Sequence, residues 1–275
     1  MSSEPQGRRH MTSAGPTGVL TPHAAPAWLK PLVENVGCVP AAYRRRLPAE
    51  VLAMVTAANT AAKLTGSPRD AAVLALFSGP EDAPADGGVP DGADLLLTVR
   101  ASSLRHHAGQ AAFPGGAVDS GDVGPVDTAL REANEETGID PTRLRPLATL
   151  EKTFIPPSGF HVIPVLAYSP DPGPVAVIDA AETAIVARVP LRAFVNPENR
   201  LMVYRNTLTR RFAGPAFLLN EMLVWGFTGQ VISALLDCAG WAQPWNTDDV
   251  RELDEAMALV GDRGDTGEHY QEARR

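Results

Sequence analysis

Three carboxylates within five residues, Glu132, Glu135 and Glu136, mark the part of this chain best equipped for chemistry. The surrounding stretch, Ala129-Leu-Arg-Glu-Ala-Asn-Glu-Glu-Thr-Gly-Ile139, is made of helix formers and stops at Gly138, a residue suited to closing a helix. On a helix, Glu132 and Glu136 are i,i+4 neighbours and Glu132 and Glu135 are i,i+3, so all three project from one edge of two turns. Like charges at that spacing repel by roughly 0.2–0.5 kcal/mol per pair. A divalent cation between them turns the repulsion into binding. Oxygen-only donors suit Mg²⁺ or Mn²⁺, which also coordinate phosphate oxygens. The opposite edge, Ala129, Leu130, Ala133 and Thr137, is small or apolar and fit to pack on a sheet.

The preceding loop, Phe113-Pro-Gly-Gly-Ala-Val-Asp-Ser-Gly-Asp122, is the complement. Gly115 and Gly116 let backbone approach a ligand where a Cβ would intrude, and their carbonyls are spare metal ligands. Asp127 is placed to cap the helix. An acidic helix alone is usually a solvated face. The fixed spacing of glycines, Arg131-Glu132, Glu135-Glu136 and Gly138-Ile139 is what separates this one from that ordinary case.

Such a site must be held by a scaffold, and the chain is long enough for one. Residues 1–27 are rich in Ser, Pro, Gly and Ala without an apolar core, which reads as a disordered leader. Residues 28–66 read as a helical extension, with Pro48 in the first turn of its last helix. Arg44-Arg45-Arg46 lies between helical patches as a solvated basic face. Residues 67–242 mix strand and helix patterns. The β-like runs are Ala71–Phe77, Asp94–Arg100, Leu147–Phe154, Phe160–Tyr168 and Ala184–Val189, and Leu223–Trp241 has helical spacing. Residues 243–275 read as a polar, acidic tail with a short helix around Asp249–Leu259. The pattern is one α/β domain with an N-terminal helical extension.

Composition narrows the function. A net charge of −8 argues against broad nucleic-acid binding, and an acidic protein handling phosphates needs local arginines or a metal. No run of eighteen apolar residues offers a membrane span. Cys38 and Cys238 have no ligand-spaced partners for zinc. Far apart in sequence, they read as two thiols in a reducing cytosol.

The loop and helix together resemble the Nudix box, the signature of hydrolases acting on nucleoside diphosphates linked to another moiety. Gly116, Arg131, Glu132, Glu135, Glu136, Gly138 and Ile139 match its fixed positions. The acidic residue after the glycine is Asp122 rather than Glu, and the gap from it to Arg131 is one residue longer than in the general pattern. Upstream, Leu96-Leu-Thr-Val-Arg100 and Leu104-Arg105-His106-His107-Ala-Gly109-Gln110, running into Phe113-Pro-Gly-Gly116, look like the second signature of the coenzyme A diphosphatase branch. That branch shares the aspartate and the longer gap; Ala101 stands where its pattern has serine.

The resemblance implies an α/β/α sandwich with a mixed sheet between helices. It implies hydrolysis of coenzyme A, or a derivative, to a phosphopantetheine and adenosine 3′,5′-bisphosphate in the cytoplasm with Mg²⁺ or Mn²⁺. Glu132 and Glu136 become metal ligands, and Glu135 a further ligand or the group that orients water. Gly116, Asp122, Arg131 and Gly138 shape the box, Arg131 through an ion pair to Asp122 on a different helix edge from Glu132. Arg100 and Arg105 become candidates for substrate phosphates, with His106 and His107 weaker ones. Glu182 is the candidate general base outside the box. Two other readings stay open: a Nudix hydrolase of ADP-ribose or a dinucleoside polyphosphate, and a silent Nudix-like binding module, which would be expected to have lost carboxylates. The oligomeric state is open as well, a homodimer being one candidate.

Overall fold

The computed structural model describes residues 18–66, 69–84, 86, 88–101, 109–156, 158–207, 210–219 and 222–261. Among them, strands β1 (Asp70–Ser78), β2 (Asp94–Arg100), β3 (Ala111–Ala112), β4 (Gly115–Ala117), β5 (Arg145–Thr149), β6 (Thr153–Ile155), β7 (Phe160–Ser169) and β8 (Thr183–Pro190) form one mixed sheet. A second sheet holds β9 (Arg200–Thr207), β10 (Arg210–Leu219), β11 (Met222–Val224) and β12 (Val250–Glu252). The helices are α1 (Lys30–Glu34), α2 (Val39–Arg44), α3 (Ala49–Thr65), α4 (Pro125–Thr137), α5 (Leu191–Val195), α6 (Gly226–Cys238) and α7 (Leu253–Gly261). This is an α/β fold with mixed sheets and an N-terminal helical part.

β1 is the axis of the first sheet. It runs parallel to β7, with Asp70 opposite His161 and Ser78 opposite Ser169, and antiparallel to β2 and β4. Its sequence is almost continuously apolar because both faces are covered. Ala72, Leu74 and Leu76 pack with Ala129, Leu130 and Ala133 of α4, whereas Ala75 and Phe77 join Val231, Leu235 and Trp241 on the other face. The period-2 alternation of a strand thus puts α4 and α6 on opposite sides.

The structure moves several expected boundaries. The run Leu147–Phe154 divides into β5 and β6, both antiparallel to β7, with an irregular register between Pro146 and Ala148. Pro48 is the N-cap of α3 rather than a member of its first turn. α6 begins at Gly226, and Leu223 belongs to β11. Asp127 does not cap α4: Gly124 is the N-cap, Pro125 takes the first position, and Asp127 accepts from the Val123 amide at 3.1 Å. The C-terminal segment supplies β12, parallel to β9, and α7, whose Ala256 is buried with Leu201 and Val203.

The N-terminal helices lie against the α6 side. Trp28 is fully buried between Tyr168 and Trp241, and its indole N–H donates to the Pro80 carbonyl at 2.8 Å. The basic cluster is not merely solvated, since Arg44 pairs with Glu151 at 2.9 Å and Arg46 pairs with Asp237. Nor are the cysteines free thiols. Cys38 and Cys238 are joined in a disulfide with their Cα atoms 6.2 Å apart. Two segments distant in sequence are neighbours in space, which spacing along the chain does not reveal.

Candidate active site

α4 delivers the carboxylates to one edge of the first sheet. Its apolar stripe is buried, and its end is set by Gly138, where φ is +69° and the amide donates to the Asn134 carbonyl. The Asn134 side chain adds a bond to the Ile139 carbonyl at 2.8 Å, so the terminating turn is pinned twice.

Arg131 organises the loop before the helix. Its Nε and Nη2 donate to the two oxygens of Asp122, each at 3.0 Å, and Nη2 also donates to the Ala117 carbonyl. Thr128 and the Asp119 amide, both at 2.8 Å, complete the shell around Asp122, whose side chain is only 5% exposed. Hydrogen bonding to Arg131 is the main reason the Asp122 carboxyl lies well below the usual range. The third nitrogen, Nη1, reaches Glu132 at 2.9 Å and Glu135 at 3.1 Å. Arg131 therefore shares an edge with Glu132, because its side chain is long enough to bend toward it. Glu135 points outward, with its side chain 57% exposed.

Glu132 and Glu136 meet the glycine strand β4. A Cβ on Gly116 would lie 2.4 Å from the carboxylate carbon of Glu132, and one on Gly115 would lie 2.4 Å from the Ala72 carbonyl. One glycine makes room for a carboxylate, the other for the strand. The Gly115 amide hydrogen-bonds Glu136, yet Glu136 Oε2 is buried with no partner. Burial pushes the Glu136 carboxyl up to about 7; the Gly115 amide and Arg100 oppose this, while Glu132 and Glu182 add repulsion. Burial also raises Glu132, against the pull of Arg131.

Arg100 and Glu182 thus lie within electrostatic range of Glu136. The reason is strand pairing: Arg100 opposes Thr183 across β2 and β8, and the Ala101 amide donates to the Glu182 carbonyl at 2.9 Å. Arg100 is also fixed through its backbone, donating to Gln110 and accepting from Gly109. Glu182 sits in a turn made by Asp179, whose side chain accepts from the Ala181 amide and whose carbonyl accepts from Glu182 and Thr183. Arg105, His106 and His107 lie outside the described residues.

The NUDIX domain family matches residues 82–209. NudL of Citrobacter koseri, an uncharacterized Nudix hydrolase, is 37% identical over 147 residues, which span 51% of this chain and 72% of NudL. NudL of Salmonella newport aligns with the same figures. The chain belongs to the Nudix hydrolase family. Among solved structures, the M. Smegmatis Nudix hydrolase RenU is 25% identical, covering 46% of this chain and 73% of that one with a TM-score of 0.35. An ADP-ribose pyrophosphatase from Streptococcus suis is 13% identical, covering 68% and 99% with a TM-score of 0.35.

Nudix hydrolases act on nucleoside diphosphate derivatives and generally use divalent ions such as Mg²⁺ or Mn²⁺. The residues of this Nudix hydrolase fit such an ion. Glu136 offers an unpartnered buried oxygen, Glu132 occupies the space that Gly116 leaves, and every donor is a hard oxygen. Among the described residues no three acidic, histidine or cysteine side chains converge as a ready-made ligand set. Arg131 holds the carboxylates of Glu132 and Glu135. Among the described residues no helix is long and apolar enough to cross a membrane.

Three contributors escaped the sequence reading: the Gly115 amide on Glu136, Thr128 on Asp122, and Asp179 beneath Glu182. Thr128 left a signal, standing one helical turn before Arg131. The aspartate three residues before Glu182 is a turn former that could also have been noticed.

Proposed function

We propose that this Nudix hydrolase cleaves the pyrophosphate bond of coenzyme A or its derivatives, yielding phosphopantetheine (or its acyl form) and adenosine 3′,5′-bisphosphate. The observation carrying the reading is one continuous stretch. The segment resembling the coenzyme A diphosphatase signature, from Leu96 to Gly116, begins in the strand that ends at Arg100 and finishes at the glycines against Glu132 and Glu136. Arg100 stands at the rim of that acidic edge, where a guanidinium fork suits phosphate oxygens.

Glu132 and Glu136 would hold Mg²⁺ or Mn²⁺, with Glu135 as a further ligand or the group that orients water. Bound there, the ion supplies positive charge against the diphosphate and makes water more acidic. Glu182 accepts the proton as water adds to phosphorus and the P–O–P link breaks, a contribution worth about a hundred- to ten-thousand-fold. Arg131 and Asp122 touch no reacting atom. They hold the loop and helix in register.

Product analysis tests the reading. The full chain is incubated with Mg²⁺ or Mn²⁺ and coenzyme A, ADP-ribose or a dinucleoside polyphosphate. Phosphopantetheine and adenosine 3′,5′-bisphosphate are expected from coenzyme A. Cleavage of another substrate with coenzyme A untouched would replace the substrate class, and no cleavage of any would overturn the reading.

A further inference from the structure

Cys38 and Cys238 are the chain's only cysteines, and their bond closes a span of 200 residues. Cys38 lies in the exposed turn before α2, whereas Cys238 ends α6 and is buried. With Cys38 exposed and Cys238 buried, thiol–disulfide exchange is directed to Cys38.

The bond ties an incompletely packed region. Beneath α2 and α3 lies a cavity of about 110 Å³, lined by Val39, Tyr43, Val55, Asn59, Leu150 and Phe227 among others. α3 buries a single side chain, Val55, over its 17 residues. The non-covalent ties near the disulfide include Val39 and Ala42 buried with Val231 and Leu235 of α6, Tyr43 meeting Phe227 edge-on at 6.1 Å, and Arg46 paired with Asp237 next to Cys238. α3, with one side chain buried and a cavity beside it, belongs to the low-stability end of a fold, where one covalent tie weighs heavily.

We propose that Cys38 and Cys238 form a thiol–disulfide switch that pins α2 and α3 to α6 when oxidised and lets them open when a dithiol reduces it. A dithiol's thiolate attacks Cys38 Sγ, the S–S bond breaks, and Cys238 leaves as a thiolate that takes up a proton. The reductant's second thiol then displaces Cys38, which is protonated in turn. The reductant ends as a disulfide, its two electrons and two protons now on the cysteines.

The test needs no substrate, so it stands apart from the function proposed above. The full chain is oxidised with a small-molecule disulfide, and half is then reduced with dithiothreitol in native buffer. Thiols are counted by maleimide labelling, and thermal unfolding and amide hydrogen exchange are measured on both halves. On reduction, labelling should rise from none to both cysteines and the thermal midpoint should fall by roughly 5–10 °C. Exchange in residues 30–65 should quicken about tenfold or more, while that in α4 stays unchanged. Cys38→Ser should show the reduced values with or without dithiothreitol. Three results would overturn the proposal: free thiols after oxidation, a bond that resists dithiothreitol in the folded chain, or equal exchange in residues 30–65 in both states.

Discussion

Two helices of thirteen residues each, α4 and α6, pack on opposite faces of the same sheet, and they solve different problems. α6 buries ten of its residues between the sheets and the N-terminal helices, and Trp28, Phe77 and Trp241 close over it. α4 buries six and leaves its other edge charged, with Glu132, Glu135 and Glu136 confronting Arg131 and the glycine strand. The α6 face is held by apolar burial, which is non-directional and tolerant of small shifts. The α4 face is held by directed hydrogen bonds that also keep a buried carboxylate oxygen unpartnered. α4 keeps a charged edge where α6 is given over to packing. The lesson is that an acidic edge survives in a fold when a rigid apolar stripe on the same helix anchors it.

That contrast can be broken from either side. The largest effect is expected from Glu136→Gln, which removes a charge from the site but no packing. Hydrolysis should drop on the order of a thousandfold, with the thermal midpoint unchanged or higher. Equal turnover by the two proteins would remove Glu136 from the chemistry. On the other face, Trp28→Ala should cost about 3–5 kcal/mol in denaturant unfolding, through lost burial and a Pro80 carbonyl left without its donor. A cost below 1 kcal/mol would mean that the N-terminal segment does not complete the core.

Gly116→Ala sharpens the comparison at one methyl group. The added Cβ would displace the Glu132 carboxylate, so turnover should fall roughly ten- to a hundredfold and respond to raised metal concentration. Turnover and metal dependence like the parent's would show that Glu132 can move without loss. The smallest effect concerns the loop latch. Asp122 has a depressed folded pKa, so its stabilisation is complete above the ordinary aspartate value, near pH 4, and is lost as the pH falls toward the folded value. Asp122→Asn should therefore be weaker by about 2 kcal/mol at neutrality and flatter with pH in the acid range. Parallel pH–stability curves for the two proteins would show that the latch contributes nothing.

Local pattern made the helix legible, because the features that define it fall within a dozen residues. Gly138 ends α4, the apolar stripe of Ala129, Leu130 and Ala133 is buried, and the spacing of the glutamates follows from 3.6 residues per turn. Continuous apolar runs likewise announced β1, β2 and β7. The second sheet was missed. β9 begins with Arg200 and carries Tyr204, Arg205 and Asn206, and β10 begins with two arginines and contains Gly214 and Pro215, so neither reads as a simple apolar run.

What the chain alone determined was the chemistry on offer: oxygen ligands on one helical edge, glycines before them and an arginine between, all set by short-range spacing. Only the tertiary structure decided which distant residues share that edge. Strand pairing brought Arg100 and Glu182 toward Glu136, β4 placed the Gly115 amide on its carboxylate, and folding joined Cys38 to Cys238 across 200 residues. Helical periodicity is a property of neighbours in sequence, whereas sheet register and disulfide pairing depend on contacts that no local pattern encodes.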